Sequence, residues 1–299
     1  MSGLWPRISQ GKTLPIAAIL AVVLVAWYLG AIWLNSSEVI YRYQDDPALA
    51  KSWTTSDLIR DTLSMKRPVL PSPLQVLVEL NRTILEVPPY SKRSLVYHAW
   101  VTMSAALVGF ALGSFFGIVL AIGIVHVRTL ERAAMPWVIT SQTIPILAIA
   151  PMIIVVLGSI GFVGLMPKAI ISAYLCFFPV TIGMVKGLTS PEPIQLDLIH
   201  TYSATRVQVF TKLRWSSSFA FLFPSLKVAV ALAIVGAIIG ELPTGAVAGL
   251  GARILAGSYY GQTIQIWSAL VVASIAAGLS VAVIGWVERL TLSRQGVRP

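Results

Sequence analysis

Long apolar runs alternate with short polar segments along this chain, and the run lengths predict membrane-spanning helices. A helix needs about 20 mostly apolar residues to cross roughly 30 Å of hydrocarbon. Leu14 to Leu34 is such a run and carries no charge. It exceeds the apolar core of a cleaved secretory signal, about 7–15 residues, and so reads as a retained anchor. Runs at about Trp100–Ile124, Ala134–Leu157, Met166–Val185, Phe219–Gly240 and Ile264–Trp286 bring the expected spans to six.

Two longer polar segments divide these runs. Residues 35–99 are nearly charge-balanced, as expected of an outer segment that crosses largely regardless of charge. Within it Leu74, Leu77, Leu80 and Ile84 recur at helical spacing after Pro71 and Pro73, predicting an amphipathic helix that caps the bundle. The second segment, Lys186 to Ser218, carries Lys186, Arg206, Lys212 and Arg214, with alternating apolar positions that suit short helices. Such a segment adds nothing to stability in the bilayer, so it is expected to engage something in water. The predicted order is residues 1–13 as a cytoplasmic terminus, 14–34 as the first span and 35–99 outside. Residues 100–287 form a five-span core containing the 186–218 loop, and 288–299 a cytoplasmic tail.

Composition agrees with a polytopic all-α membrane protein: of 299 residues, 56% are hydrophobic and 11% charged, and the mean hydropathy is +0.80. The net charge of +10 does not imply nucleic acid, because the basic residues collect at the ends of apolar runs rather than on one face. Arg7, Lys12, Arg128, Arg132, the basic insert, Arg289, Arg294 and Arg298 all fall on one side if both termini are cytoplasmic. The outer connections then carry only Arg253, with Lys168 at an adjoining helix start.

Three features inside the spans bear on packing and passage. Gly109, Gly113 and Gly117 recur every four residues, a spacing that lets two helix backbones approach closely. Thr140, Ser141, Gln142 and Thr143 precede Pro145 and Pro151, so the third span is expected to kink. Gln142, Thr143, Pro145 and Pro151 are candidates for lining a translocation path, the alternative being a kink made for fit alone. Lys168 and Lys227 are expected to snorkel to the interface. Glu241 reads either as a path or gate residue or as an interfacial carboxylate, and no carboxylate is expected at mid-bilayer.

Catalytic signals are lacking. Gly11-Lys12-Thr13 is not a phosphate-binding loop, since Pro6 stands where the earlier glycine belongs. Cys176 lies in an apolar run, and His98, His126 and His200 are far apart with no ligand-spaced partners. The chain therefore reads as a non-enzyme, and uphill transport would draw its energy from a partner.

The residues resemble a known family, the permeases of binding-protein-dependent ABC importers, in the nitrate, sulfonate and taurine group. The likeness runs through the third span from Gln142 to Pro151 and on to Gly158, and through Phe177-Phe178-Pro179 to Gly187-Leu188. It also includes Gly249-Leu250-Gly251 after Glu241 and Leu70-Pro71-Ser72-Pro73, covering roughly residues 70–290. The family's coupling loop begins Glu-Ala-Ala, reaches a glycine six residues after the glutamate and later has Leu-Pro. Here Asp197-Leu198-Ile199, Ser203 and Trp215-Ser216 stand in those places. Serine must then take a tight turn with a side chain attached.

The resemblance implies a type I ABC importer permease-like bundle of six transmembrane helices in a bacterial inner membrane. It implies that this chain binds no cofactor and that ATP, with Mg, sits on an ATP-binding subunit dimer. That dimer would be gripped through Asp197, Ser203, Ala204, Arg206, Phe210 and Lys212. It also implies a second permease subunit, identical or a paralogue, an extracytoplasmic solute-binding protein, and a small anion, sulfonate or nitrogen heterocycle as cargo. Tyr259 and Tyr260 are placed where they could touch a planar solute. A lone ion-coupled carrier and a non-transporting scaffold are the competing readings.

Overall fold

The computed structural model describes residues 13–45, 53–243 and 246–294, all helix and connecting turns. The orientation charges Arg7, Lys12 and Arg298 lie outside the described residues. The helices are α1 (Thr13–Asp45), α2 (Thr55–Ser64), α3 (Pro73–Asn81), α4 (Leu95–His126), α5 (Arg128–Ser141) and α6 (Ile146–Ser159). They continue as α7 (Leu165–Leu188) and α8 (Pro193–Thr201), α9 (Arg206–Glu241), α10 (Leu250–Tyr259) and α11 (Thr263–Arg294). Among the described residues five helices are long and apolar enough to cross a membrane, or six if α5 and α6 together make one span.

The chain divides into two compact units. One comprises residues 1–94 and 253–270, the other 95–252 and 271–299. In the first, α1 outruns the expected span by more than two turns and buries Ala31, Asn35, Val39 and Tyr43, one residue per turn. Asn35, read from sequence as the start of the outer segment, is fully buried. Its amide nitrogen donates to the carbonyl of Leu70 at 2.9 Å, and its oxygen accepts from the Val69 N–H at 2.8 Å. One side chain thus satisfies backbone groups that would otherwise be orphaned in a buried turn.

The predicted amphipathic helix exists as α3, but the expected stripe is not its buried face. Leu74 and Leu77 are each 61% exposed, while Pro73, Val76 and Thr83 are buried. The register is set at its start: Ser72 and Gln75 form a reciprocal cap, and the Gln75 amide donates to the Met65 carbonyl at 2.8 Å.

In the second unit α7 is the central element, packed against α4 on one side and α9 on another. The glycine repeat behaves as its spacing predicts. Gly109 faces Ala169 and Ser172, Gly113 faces Ala173 and Cys176, and Gly117 faces Phe177 and Thr181. The same device joins α7 to α9: Gly183 and Gly187 lie against Ser225 and Ser218, and Gly236 and Gly240 against Ser172 and Lys168. Lipid supplies no hydrophobic drive between helices, so close backbone approach provides the dispersion contacts that hold them.

The third span is broken rather than kinked. α5 and α6 meet at 104° across residues 142–145. Pro145 has no N–H to continue the ladder, and the residue before a proline is pushed out of helical geometry. The Gln142 and Thr143 N–H groups close tight turns onto Ile139 and Thr140 at 3.3 and 2.9 Å. Pro136 and Pro151 lie inside α5 and α6 without breaking them.

A side chain at Gly113 would meet the Ala173 carbonyl at 2.6 Å and the Cys176 Cβ at 2.8 Å. Gly113→Ala is expected to part α4 from α7 and destabilise the fold by about 1–3 kcal/mol. Gly158→Ala, with nothing within 4 Å, should leave the thermal midpoint in detergent unchanged or raised. Equal midpoints for Gly113→Ala and the wild type would refute the close-packing account.

Candidate functional site

The second unit holds a buried polar node built from three elements. Glu241, at the end of α9, is fully buried. Lys168 of α7 lies 3.4 Å from its Oε1 and also donates to the Ala248 carbonyl at 3.3 Å. The Thr102 hydroxyl of α4 donates to both carboxylate oxygens at 3.0 Å. An isolated charge in so dry a place would be prohibitively costly, and here each is paired and hydrogen-bonded.

The node pins the segment that follows α9. Three successive backbone N–H groups are taken up: Gly249 by His98 Nδ1 at 2.9 Å, Leu250 by Thr102 Oγ1 at 2.8 Å and Gly251 by Glu241 Oε2 at 2.8 Å. Gly249 has φ +129°, and a side chain there would land on the Glu241 carboxylate. Both the backbone angle and the missing space require glycine. The Gly249-Leu250-Gly251 motif after Glu241 thereby acquires a physical reason.

One sequence expectation is corrected here. Lys168 does not snorkel to the interface; it is 7% exposed and paired with Glu241. Lys227, whose side chain is 32% exposed, pairs with Glu288 of α11. Glu241, read from sequence as a path or gate residue or as an interfacial carboxylate, is buried and bound within the helix bundle. Thr102 and His98 were missed, although two isolated opposite charges among apolar runs are a usable signal that each seeks a partner.

Beside the node lies a cavity of about 660 Å³. Tyr97, Trp100 and Ser104 of α4, Phe162 of the α6–α7 turn, Lys168 and Ala248 contribute to its lining. Of the path candidates, Gln142, Thr143 and Pro145 lie at the break of the third span and Pro151 within α6; all are exposed, and none lines this cavity. Tyr259 and Tyr260 are exposed at the end of α10 and do not line it either.

The second candidate site is the loop between α7 and α9. Its helix α8 begins with Pro193 in its first turn, where a missing N–H is harmless. The turn after α8 carries Ser203 at φ +53°, the only non-glycine with positive φ among the described residues. The Ser203 N–H donates to His200 at 2.9 Å and that of Ala204 to Ile199 at 3.4 Å, closing the helix end. Thr205 then caps the start of α9 through Gln208.

Asp197, Ser203, Arg206 and Lys212 are exposed, whereas Ala204 and Phe210 are half-buried. The Phe210 ring packs on His126 at 5.2 Å and on Trp215 at 6.0 Å. Ile194, Leu198, Tyr202 and Val207 are also exposed, between 60% and 79%, so the loop presents an apolar surface among its charges. The α9 helix passes through a π-helical stretch, Val209–Arg214, between this loop and the apolar span.

The profile of a family described as the inner membrane component of binding-protein-dependent transport systems matches residues 113–294. The chain is 33% identical to the formylaminopyrimidine transport permease protein of Halalkalibacterium halodurans, over 61% of this chain and 68% of that protein. It is 32% identical to the riboflavin transport system permease protein of Chloroflexus aurantiacus, over 62% of this chain and 65% of that protein. A putative aliphatic sulfonates transport permease protein of Bacillus subtilis is 21% identical over 75% of this chain and 77% of its own length.

Removing one member of a buried ion pair leaves the other uncompensated, at a cost of about 3–5 kcal/mol. Glu241→Ala is therefore expected to lower the unfolding midpoint strongly. Replacing both partners, Glu241→Leu with Lys168→Met, should lose less than the two single losses added together. Additive losses in that double-mutant cycle would remove the ion pair as the organising contact.

Proposed function

This chain belongs to the inner membrane components of binding-protein-dependent transport systems, and from that premise we propose how it couples and what it carries. It is a multi-pass inner-membrane permease and not an enzyme. In our reading the α7–α9 loop is the lever that a separate ATP-binding subunit grips. ATP, with Mg, binds that subunit, and its closure draws on α8 and rocks the bundle. A second permease subunit, identical or a paralogue, completes the path, and a solute-binding protein delivers the cargo outside. Both termini lie on the cytoplasmic side.

One observation carries this reading: an exposed surface of Ile194, Leu198, Tyr202 and Val207, set among Asp197, Arg206 and Lys212, on a loop closed by a left-handed turn. Apolar surface rimmed by charge marks a protein contact. The half-buried Phe210, seated on His126 and Trp215, ties the lever to α4 and to the root of α9. The cargo falls within the classes borne by the relatives' names, a nitrogen heterocycle or a sulfonate, or is another small anion.

Proline locks φ near −65° and has no N–H, whereas residue 203 sits at φ +53° and donates to His200. Ser203→Pro is expected to abolish ATP-driven uptake in proteoliposomes while leaving membrane insertion intact; uptake at the wild-type rate would remove the coupling assignment. Ser203→Gly should relieve about 1 kcal/mol of left-handed strain and retain uptake. An ATP-binding subunit should also co-purify in near-stoichiometric amount with the detergent-solubilised chain, and its consistent absence would favour a lone carrier or scaffold.

A further inference from the structure

We propose that the cavity beside the Lys168–Glu241 pair is a solute site selective for uncharged, planar heterocycles that present both a ring N–H and a ring carbonyl. This rests on the permease reading and narrows its three classes of cargo to one. The argument begins with charge. Among the described residues Lys168 is the one cation lining the cavity, and its ammonium is already matched by the Glu241 carboxylate at 3.4 Å and the Ala248 carbonyl at 3.3 Å. A sulfonate or nitrate entering here would meet no uncompensated positive charge, yet would lose its hydration. An anion is thus disfavoured by the same pair that stabilises the bundle.

The remaining lining suits a flat ring. Tyr97, Trp100 and Phe162 supply three aromatic surfaces, which favour planar partners beyond simple area burial. Two polar groups fix orientation. An ammonium has three N–H donors, two of which Lys168 directs at Glu241 and Ala248, leaving a third for a ring carbonyl. Ser104 donates its hydroxyl proton to the Val101 carbonyl at 2.8 Å, so its oxygen offers a lone pair to a ring N–H. A volume of about 660 Å³ lies in the range of small-molecule sites, about 300–1,000 Å³, whose walls are mainly apolar with a few placed polar groups.

The pair also makes selectivity switchable. Gln at position 241 keeps the shape and an acceptor for the Gly251 N–H, but leaves Lys168 with net charge facing the cavity. E241Q is expected to move preference from neutral rings toward planar anions.

Equilibrium dialysis of the full chain in nanodiscs, with empty nanodiscs as the partition control, tests this with three flat probes: lumichrome, 2-naphthalenesulfonate and anthracene. The wild type should bind lumichrome about tenfold or more tighter than either of the others. Trp100→Leu should weaken lumichrome about tenfold, Trp100 being 70% exposed and so not needed for folding. E241Q should narrow or invert the lumichrome-to-sulfonate ratio by about tenfold. Equal binding of 2-naphthalenesulfonate by the wild type would overturn the charge argument. Equal binding of anthracene would make the cavity a plain apolar groove, and unchanged lumichrome binding by Trp100→Leu would place any site elsewhere. ATP-driven uptake that persists while lumichrome fails to bind sinks this proposal and leaves the permease reading standing.

Discussion

The second unit depends on how closely α7 approaches its neighbours. In lipid the tails are as apolar as the side chains, so helices gain little by burying leucine against leucine. What holds α4, α7 and α9 is backbone proximity, and along both seams glycines on one partner lie against the backbone or Cβ atoms of the other. That proximity is also what brings Thr102, Lys168 and Glu241, from three helices, within hydrogen-bonding distance. A wider packing of the same helices would leave the lysine and the carboxylate unpaired.

From this follows the order of the segment after α9. Glu241 is more than half of an ion pair: through Gly251, and through Thr102 to Leu250, it takes up first-turn N–H groups of α10 that have no acceptor within their own helix. His98 adds the third acceptor. Backbone polar groups near membrane depth are tolerated only when protein receives them, and here the receiving groups lie on two different helices. The α7–α9 loop obeys a different rule. Its helix ends are satisfied locally, by caps and a left-handed turn, and its apolar side chains stay exposed.

The broken third span shows the same economy of satisfied groups. Pro145 ends the ladder, and the Gln142 and Thr143 N–H groups donate to the Ile139 and Thr140 carbonyls in tight turns that close the end of α5, so the chain changes direction by 104° instead of fraying. A proline within a helix does not by itself decide between a bend and a break. Pro151 and Pro136 sit inside continuous helices, and the difference at Pro145 is the polar run that can close the end.

Much of this was legible in the residues themselves. Run length determined the spans, because hydrocarbon thickness sets a helix length independent of neighbours. The four-residue glycine period determined which face of α4 would be packed, and the resemblance to the family's coupling loop implied a tight turn at Ser203, which the structure shows to be left-handed. Tertiary structure decided what depends on distance between segments far apart in sequence. It paired Lys168 with Glu241 and Lys227 with Glu288, turned Val76 rather than Leu77 inward, buried Asn35 and grouped residues 253–270 with the first unit. Periodicity carries the direction in which a side chain points, but pairing energy depends on which group of another helix lies there, and only the packed chain specifies that.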